Sequence, residues 1–104
     1  MLKMDASLPI ACSLTETELE EREENVLAKV GQSVQEVREL EDGYAYRFPS
    51  DDESLAQVLQ LVRLERQCCA FLQFRVTVEP GHGPVWLELT GPEGTKAFLT
   101  SFFS

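Results

Sequence analysis

The sequence predicts an α+β fold: a two-layer sandwich with an antiparallel sheet and helices on one face, in the order β-α-β-β-α-β-β-α, ferredoxin-like or a similar arrangement. Three observations predict it. Residues 16–30 and 53–71 carry apolar side chains at helical spacing. Each of these segments is followed by two short alternating segments with a turn signal between them. The chain is 104 residues long, the size of one domain, and its regular segments leave little room for a linker, so residues 1–104 read as a single unit.

Residues 8–14 (LPIACSL) are short and apolar, and Pro9 suits the beginning of an edge strand that carries Cys12. Thr15-Glu16-Thr17-Glu18 fits a capping box. The helix that follows has Leu19, Val26, Leu27 and Val30 as its apolar stripe, and Gly31 is the expected stop. Arg22 shares the neighbourhood of that stripe and can reach inward. Residues 34–40 form a weakly patterned strand. Glu41-Asp42-Gly43-Tyr44 is a hairpin signal, with Asp-Gly suited to a type I′ turn. Tyr44, Tyr46 and Phe48 alternate with Ala45 and Arg47 as in a half-buried strand, which Pro49 ends. Ser50-Asp51-Asp52 offers N-cap chemistry to the long helix. Leu55, Val58, Leu59, Val62, Cys69 and Leu72 fall along its apolar side.

Two further strands follow. Phe74, Val76 and Val78 alternate with Arg75, Thr77 and Glu79. Val85, Leu87 and Leu89 alternate with Trp86, Glu88 and Thr90. A Gly/Pro-rich loop, Pro80-Gly81-His82-Gly83-Pro84, joins them. Trp86 points away from the Val85/Leu87/Leu89 face, and with Tyr44 or Tyr46 it is a candidate for an outer aromatic patch that would receive a partner or a second copy of the chain. Residues 95–103 make a closing helix.

Composition narrows function. Nine Lys and Arg against 18 Asp and Glu give a net charge of −9, which argues against nucleic acid and anionic membrane as partners. No apolar run approaches the roughly 18 residues of a membrane span, and the first residues make a poor signal peptide. Three cysteines, two of them adjacent, are no disulfide framework. Together these features lead us to expect a cytoplasmic protein with free thiols or thiolate ligands.

The chemistry concentrates in Glu65-Arg66-Gln67-Cys68-Cys69. Side chains three and four apart meet on a helix, so Glu65 stands beside both thiols. Neighbouring helical residues point about 100° apart, so Cys68 and Cys69 do not easily clamp one ion from within a regular helix. Glu65 falls on the apolar face, where a carboxylate is costly unless paired. Arg22, Arg47, Arg63, Arg66 and Arg75 are its candidate partners, and an ion pair pinning two helices together is the structural reading of the position. Cys69 by itself reads as a small core residue. Cys12 with Cys68 or Cys69 would make a two- or three-thiolate site for a soft ion such as mercury(II), arsenite, copper or zinc, or else a reversible disulfide. No C-x-x-C or C-x-x-H spacing is present, which excludes a standard zinc ribbon. His82, the only histidine, sits between glycines in a loop. No nucleophile elbow, phosphate loop or dinucleotide fingerprint occurs.

Ala11-Cys12-Ser13-Leu14-Thr15, Asp42-Gly43-Tyr44 with Phe48, Glu65-Arg66-Gln67-Cys68-Cys69 with Phe71 and Phe74, and Gly83-Pro84-Val85-Trp86-Leu87 with Thr90-Gly91-Pro92 together resemble a family of small bacterial proteins of unknown function that carries a Glu-Arg-x-Cys-Cys-x-Phe signature. The resemblance spans nearly the whole chain. Many members have proline where this chain has Ala70, which would end their helix just after the cysteines. It implies Cys12, Cys68, Cys69, Glu65 and Arg66 as the site and implies no reaction.

Three functional expectations follow. The first is binding of a soft metal or metalloid ion by Cys12, Cys68 and Cys69, with Glu65, Arg66 and Arg22 supporting them. The second is a thiol-based redox or transferase enzyme with Cys68 as nucleophile and a small thiol-reactive ligand. The third is a non-catalytic interaction domain whose cysteines are core residues.

Overall fold

The computed structural model describes residues 17–100, 102 and 103, with the side chains of 17–24 and of Cys68 outside the description. The expected strand at 8–14, Cys12 with it, and the beginning of the expected capping box lie outside the described residues.

Helix α1 (Thr17–Gln32) presents Val26, Leu27 and Val30 to the core. It runs through Gly31 and closes one residue later, with the Ser33 N–H donating to the Val30 carbonyl. Gly31 therefore does not stop the helix. Its place is set by packing, because a Cβ there would lie 3.2 Å from that of Phe103.

Strands β1 (Glu36–Leu40) and β2 (Gly43–Phe48) form the first hairpin, and β3 (Gln73–Val78) and β4 (Val85–Thr90) the second. The hairpins join through β2 and β4, giving an antiparallel sheet in the order β1-β2-β4-β3. Leu40 pairs with Gly43, so Glu41 and Asp42 form the first turn and Gly43 already belongs to β2. Glu41 and Asp42 do not have positive φ, so the turn is not the expected type I′. Gly43 is needed for close approach instead: a Cβ there would stand 1.8 Å from the Leu89 carbonyl oxygen. The second hairpin takes positive φ at Gly81 and His82, and His82 is exposed.

Cross-strand register sorts the side chains. Tyr46 faces Leu87, Phe48 faces Val85, and Phe74 faces Leu89, all on the side the helices cover. Trp86 lies on the other side, between Arg47 and Thr77. The expected patch of Trp86 with Tyr44 or Tyr46 does not form, because the two-residue period puts both tyrosines on the core face. Tyr46 is instead buried against Phe103, with ring centroids 4.9 Å apart and an edge-to-face geometry. Burial pushes the Tyr46 hydroxyl up to about 12.

Helix α2 (Asp52–Cys68) begins at N-cap Asp51, whose Oδ1 accepts a 2.7 Å hydrogen bond from the Ser54 N–H. Its buried face holds Ser54, Val58, Leu61, Leu64 and Glu65. Leu59, expected on that face, is 49% exposed, while Leu61 and Leu64, passed over in the sequence pattern, are buried. The helix ends at Cys68 and does not continue to Phe71. Cys69 leaves helical geometry at φ −111° and ψ 71°, and its N–H makes the closing bond to the Glu65 carbonyl at 2.7 Å. A turn from the Cys69 carbonyl to the Leu72 N–H then delivers the chain to β3. Helix α3 (Thr95–Leu99) is likewise shorter than the expected span, and Phe102 and Phe103 follow in a turn. Phe98 meets Phe71 edge-to-face at 5.1 Å, tying the last element to the end of α2.

A candidate sulfur site at the end of the long helix

Glu65 and Cys69 sit one helical turn apart, and both are entirely buried. The helix closes on this pair, since the Glu65 carbonyl receives the last backbone N–H of α2 from Cys69 itself. One hydrogen bond thus fixes the two side chains on one side of the helix end. Cys69 Sγ lies 3.2 Å from Glu65 Oε1. Cys69, Phe71 and Leu72 all belong to the core cluster.

Cys69 is disulfide-bonded. The sequence pattern left free thiols, thiolate ligands and a reversible disulfide open, and the structure holds this sulfur in the oxidised form. Its partner sulfur lies outside the described side chains. A disulfide sulfur has no hydrogen to donate and no anionic charge for a metal. Reduction changes both: the Cys69 thiol can then donate to Glu65 Oε1, or as a thiolate share a cation with that carboxylate.

The other residues singled out in the sequence divide clearly. Arg63 and Arg66 are exposed on α2. Arg47 approaches Glu36 at 3.5 Å and Arg75 approaches Glu88 at 3.9 Å. Both arginines alternate onto the outer face of the sheet. The side chains of Arg22 and Cys68, and all of Cys12, lie outside the described residues. Cys68 is the last residue of α2 by its backbone. Among the described residues no three His, Cys, Asp or Glu side chains gather as a metal site. No described helix is long and apolar enough to cross a membrane.

Two features escaped the sequence reading. On the outer face, the Arg38 guanidinium lies 4.5 Å from the Trp86 ring centroid and pairs with Glu36 at 2.9 Å. Those contacts hold the Glu36 carboxyl below its ordinary value, chiefly through the hydrogen bond from Arg38. Strand register alone would have found this cluster, since Glu36 pairs with Arg47 and Arg47 with Trp86. The second feature is an apolar recess of about 490 Å³, lined by Gly31, Val34, Val37, Tyr44, Tyr46 and Phe103. It lies at the C-terminal end of α1. No local pattern marks it, because its walls come from three separated stretches.

No protein-family model matches the chain, and no curated protein or solved structure matches it.

Proposed function

We propose that the protein works at a sulfur pair that includes Cys69, binding a soft metal or metalloid ion when the pair is reduced and closing into a disulfide when it is oxidised. The observation that carries this reading is the disulfide bond at Cys69 beside the buried carboxylate of Glu65. A disulfide requires a second cysteine sulfur to come within bonding distance. The same approach, relaxed by reduction, suits a soft ion held between two thiolates. Mercury(II), arsenite, copper(I) and zinc are the thiophilic candidates. In a reducing cytoplasm the pair would stand in its ion-binding form.

The disulfide also favours a second reading, a thiol–disulfide exchange enzyme. Cys69 has no exposed surface, so an incoming thiolate would attack a different sulfur, and Cys68 is our candidate nucleophile. Catalysed reduction of a small disulfide substrate, lost in Cys68→Ser, would favour this reading over ion binding.

The test of the first reading is titration of the reduced protein with zinc, mercury(II) and arsenite, followed by thiol counting. Tight uptake of one equivalent with thiols protected is expected, as is loss of that uptake in Cys69→Ser. Unchanged affinity in Cys69→Ser would contradict the reading.

A further inference from the structure

We propose that the apolar recess at the end of α1 binds a small uncharged aromatic molecule bearing a hydroxyl or carbonyl oxygen, with the Tyr46 hydroxyl as its anchor. Neither Glu65 nor Cys69 lines the recess, so this proposal stands or falls apart from the sulfur-pair reading.

The edge of the sheet makes the recess. Strand β1 is an edge strand, and Val37 pairs with Tyr46, so the two side chains share the core-facing side. Tyr46 is 4% exposed there, whereas Val37 is 54% exposed. The layer packed on the sheet therefore covers β2 and stops short of β1. Phe103 meets Tyr46 edge-to-face, and Gly31 and Val34 complete the wall where α1 hands the chain to β1. The space enclosed is about 490 Å³, inside the roughly 300–1,000 Å³ of small-molecule sites.

The chemistry of the walls selects the class of ligand. Tyr44, Tyr46 and Phe103 supply aromatic surface, and the Tyr44 and Tyr46 ring centroids lie 6.4 Å apart. A flat ring can meet such walls by face or by edge. Among the described residues no charged side chain lines the recess. Lys96 stands 5.7 Å from the Tyr44 ring centroid, but it is paired with Glu39. An anion therefore finds no free cation in these walls, on a chain whose net charge is −9.

One polar group is built into this apolar space. Tyr46 is buried and lines the recess, and no described residue hydrogen-bonds its hydroxyl. A buried tyrosine hydroxyl ordinarily has a partner, and the recess is where one can enter. Burial, with Tyr44 beside it, keeps this hydroxyl protonated up to about 12. Near neutral pH it thus offers an O–H to an oxygen acceptor.

The test is an NMR titration of the isotope-labelled protein with p-cresol and, separately, with toluene, which lacks the oxygen. Saturable shifts with p-cresol are expected at the amides of Gly31, Val34, Val37 and Phe103, with intermolecular NOEs from the bound ring to Tyr46 and Phe103. Tyr46→Phe keeps the ring and removes the hydroxyl. It should weaken p-cresol about three- to tenfold, the loss of one hydrogen bond, and leave the toluene affinity unchanged. Unchanged p-cresol affinity in Tyr46→Phe, or equal losses for both compounds, would overturn the anchor. Shifts scattered over the surface, or no NOE to Tyr46 in the wild-type protein, would overturn the site even if the variant fails to fold.

Discussion

The outer face of the sheet and the end of α2 both hold charged side chains, and they treat them in opposite ways. On the outer face, Arg38, Glu36 and Arg47 keep substantial solvent contact and lean on one another and on Trp86. Such pairs cost little to form and contribute little to stability. At the end of α2, Glu65 has no exposed surface and shares its position with an equally buried sulfur. A buried acid relies on its partners to offset the loss of water. The outer-face pairs can be exchanged at small cost, whereas Glu65 and Cys69 are held side by side in the core.

Substitutions sharpen this contrast. The largest effect should come from the core that supports both regions. Phe48 is fully buried between sheet and helices, and Phe48→Ala should cost about 3–5 kcal/mol in denaturant unfolding. At the sulfur site, Glu65→Gln should leave the fold standing and weaken soft-ion binding by the reduced protein about tenfold to a hundredfold, as loss of a supporting group does. Competition with a chelator of known affinity would measure it. Equal affinity in the two proteins would place Glu65 outside the ion site.

Smaller effects follow at the surface. Asp51→Ala should lower the melting temperature by a few degrees, because the Ser54 N–H loses its acceptor. That same hydrogen bond holds the Asp51 carboxyl below its ordinary value. Its stabilisation is therefore present above the unfolded-state value and fades as pH falls through the lowered folded one. The variant should show a flatter acid limb. Tyr46 works at the other extreme. Its hydroxyl is raised from 10 to about 12, so the unfolded chain ionises first and stability falls as pH rises through that window. Tyr46→Phe should remove this alkaline loss. Least of all, Arg38→Ala should stay within about 0.5 kcal/mol of wild type. A greater loss would show that the outer cluster matters more than its exposure suggests.

Much of the fold is legible in the sequence because its signals are local. Alternation in Tyr44–Tyr46–Phe48 and Val85–Leu87–Leu89 identifies strands and their buried sides. Asp51 announces a helix start, and a carboxylate at position 65 stands out against its apolar neighbours. What escaped was non-local. Gly43 looks like a turn glycine, yet its requirement comes from Leu89, distant in sequence. The buried face of α2 includes Leu61 and Leu64 because tertiary neighbours, α1 above all, decide what is covered, which the helix's own spacing does not record. Helix α2 stops at Cys68 through the backbone geometry of Cys69, with neither glycine nor proline to mark the end. Burial of Glu65 and Cys69 was readable from helical spacing, whereas the disulfide at Cys69 required tertiary structure.

The most direct test of the central claim is a paired count of thiols and bound soft ions, on native and denatured protein, before and after reduction. If a sulfur pair including Cys69 is the working site, the oxidised protein will show one free thiol out of three and take up no ion. The reduced protein will bind one equivalent and have two thiols masked until the ion is removed. Three thiols that react freely in the native state, with no ion retained after reduction, would contradict a working sulfur pair at Cys69.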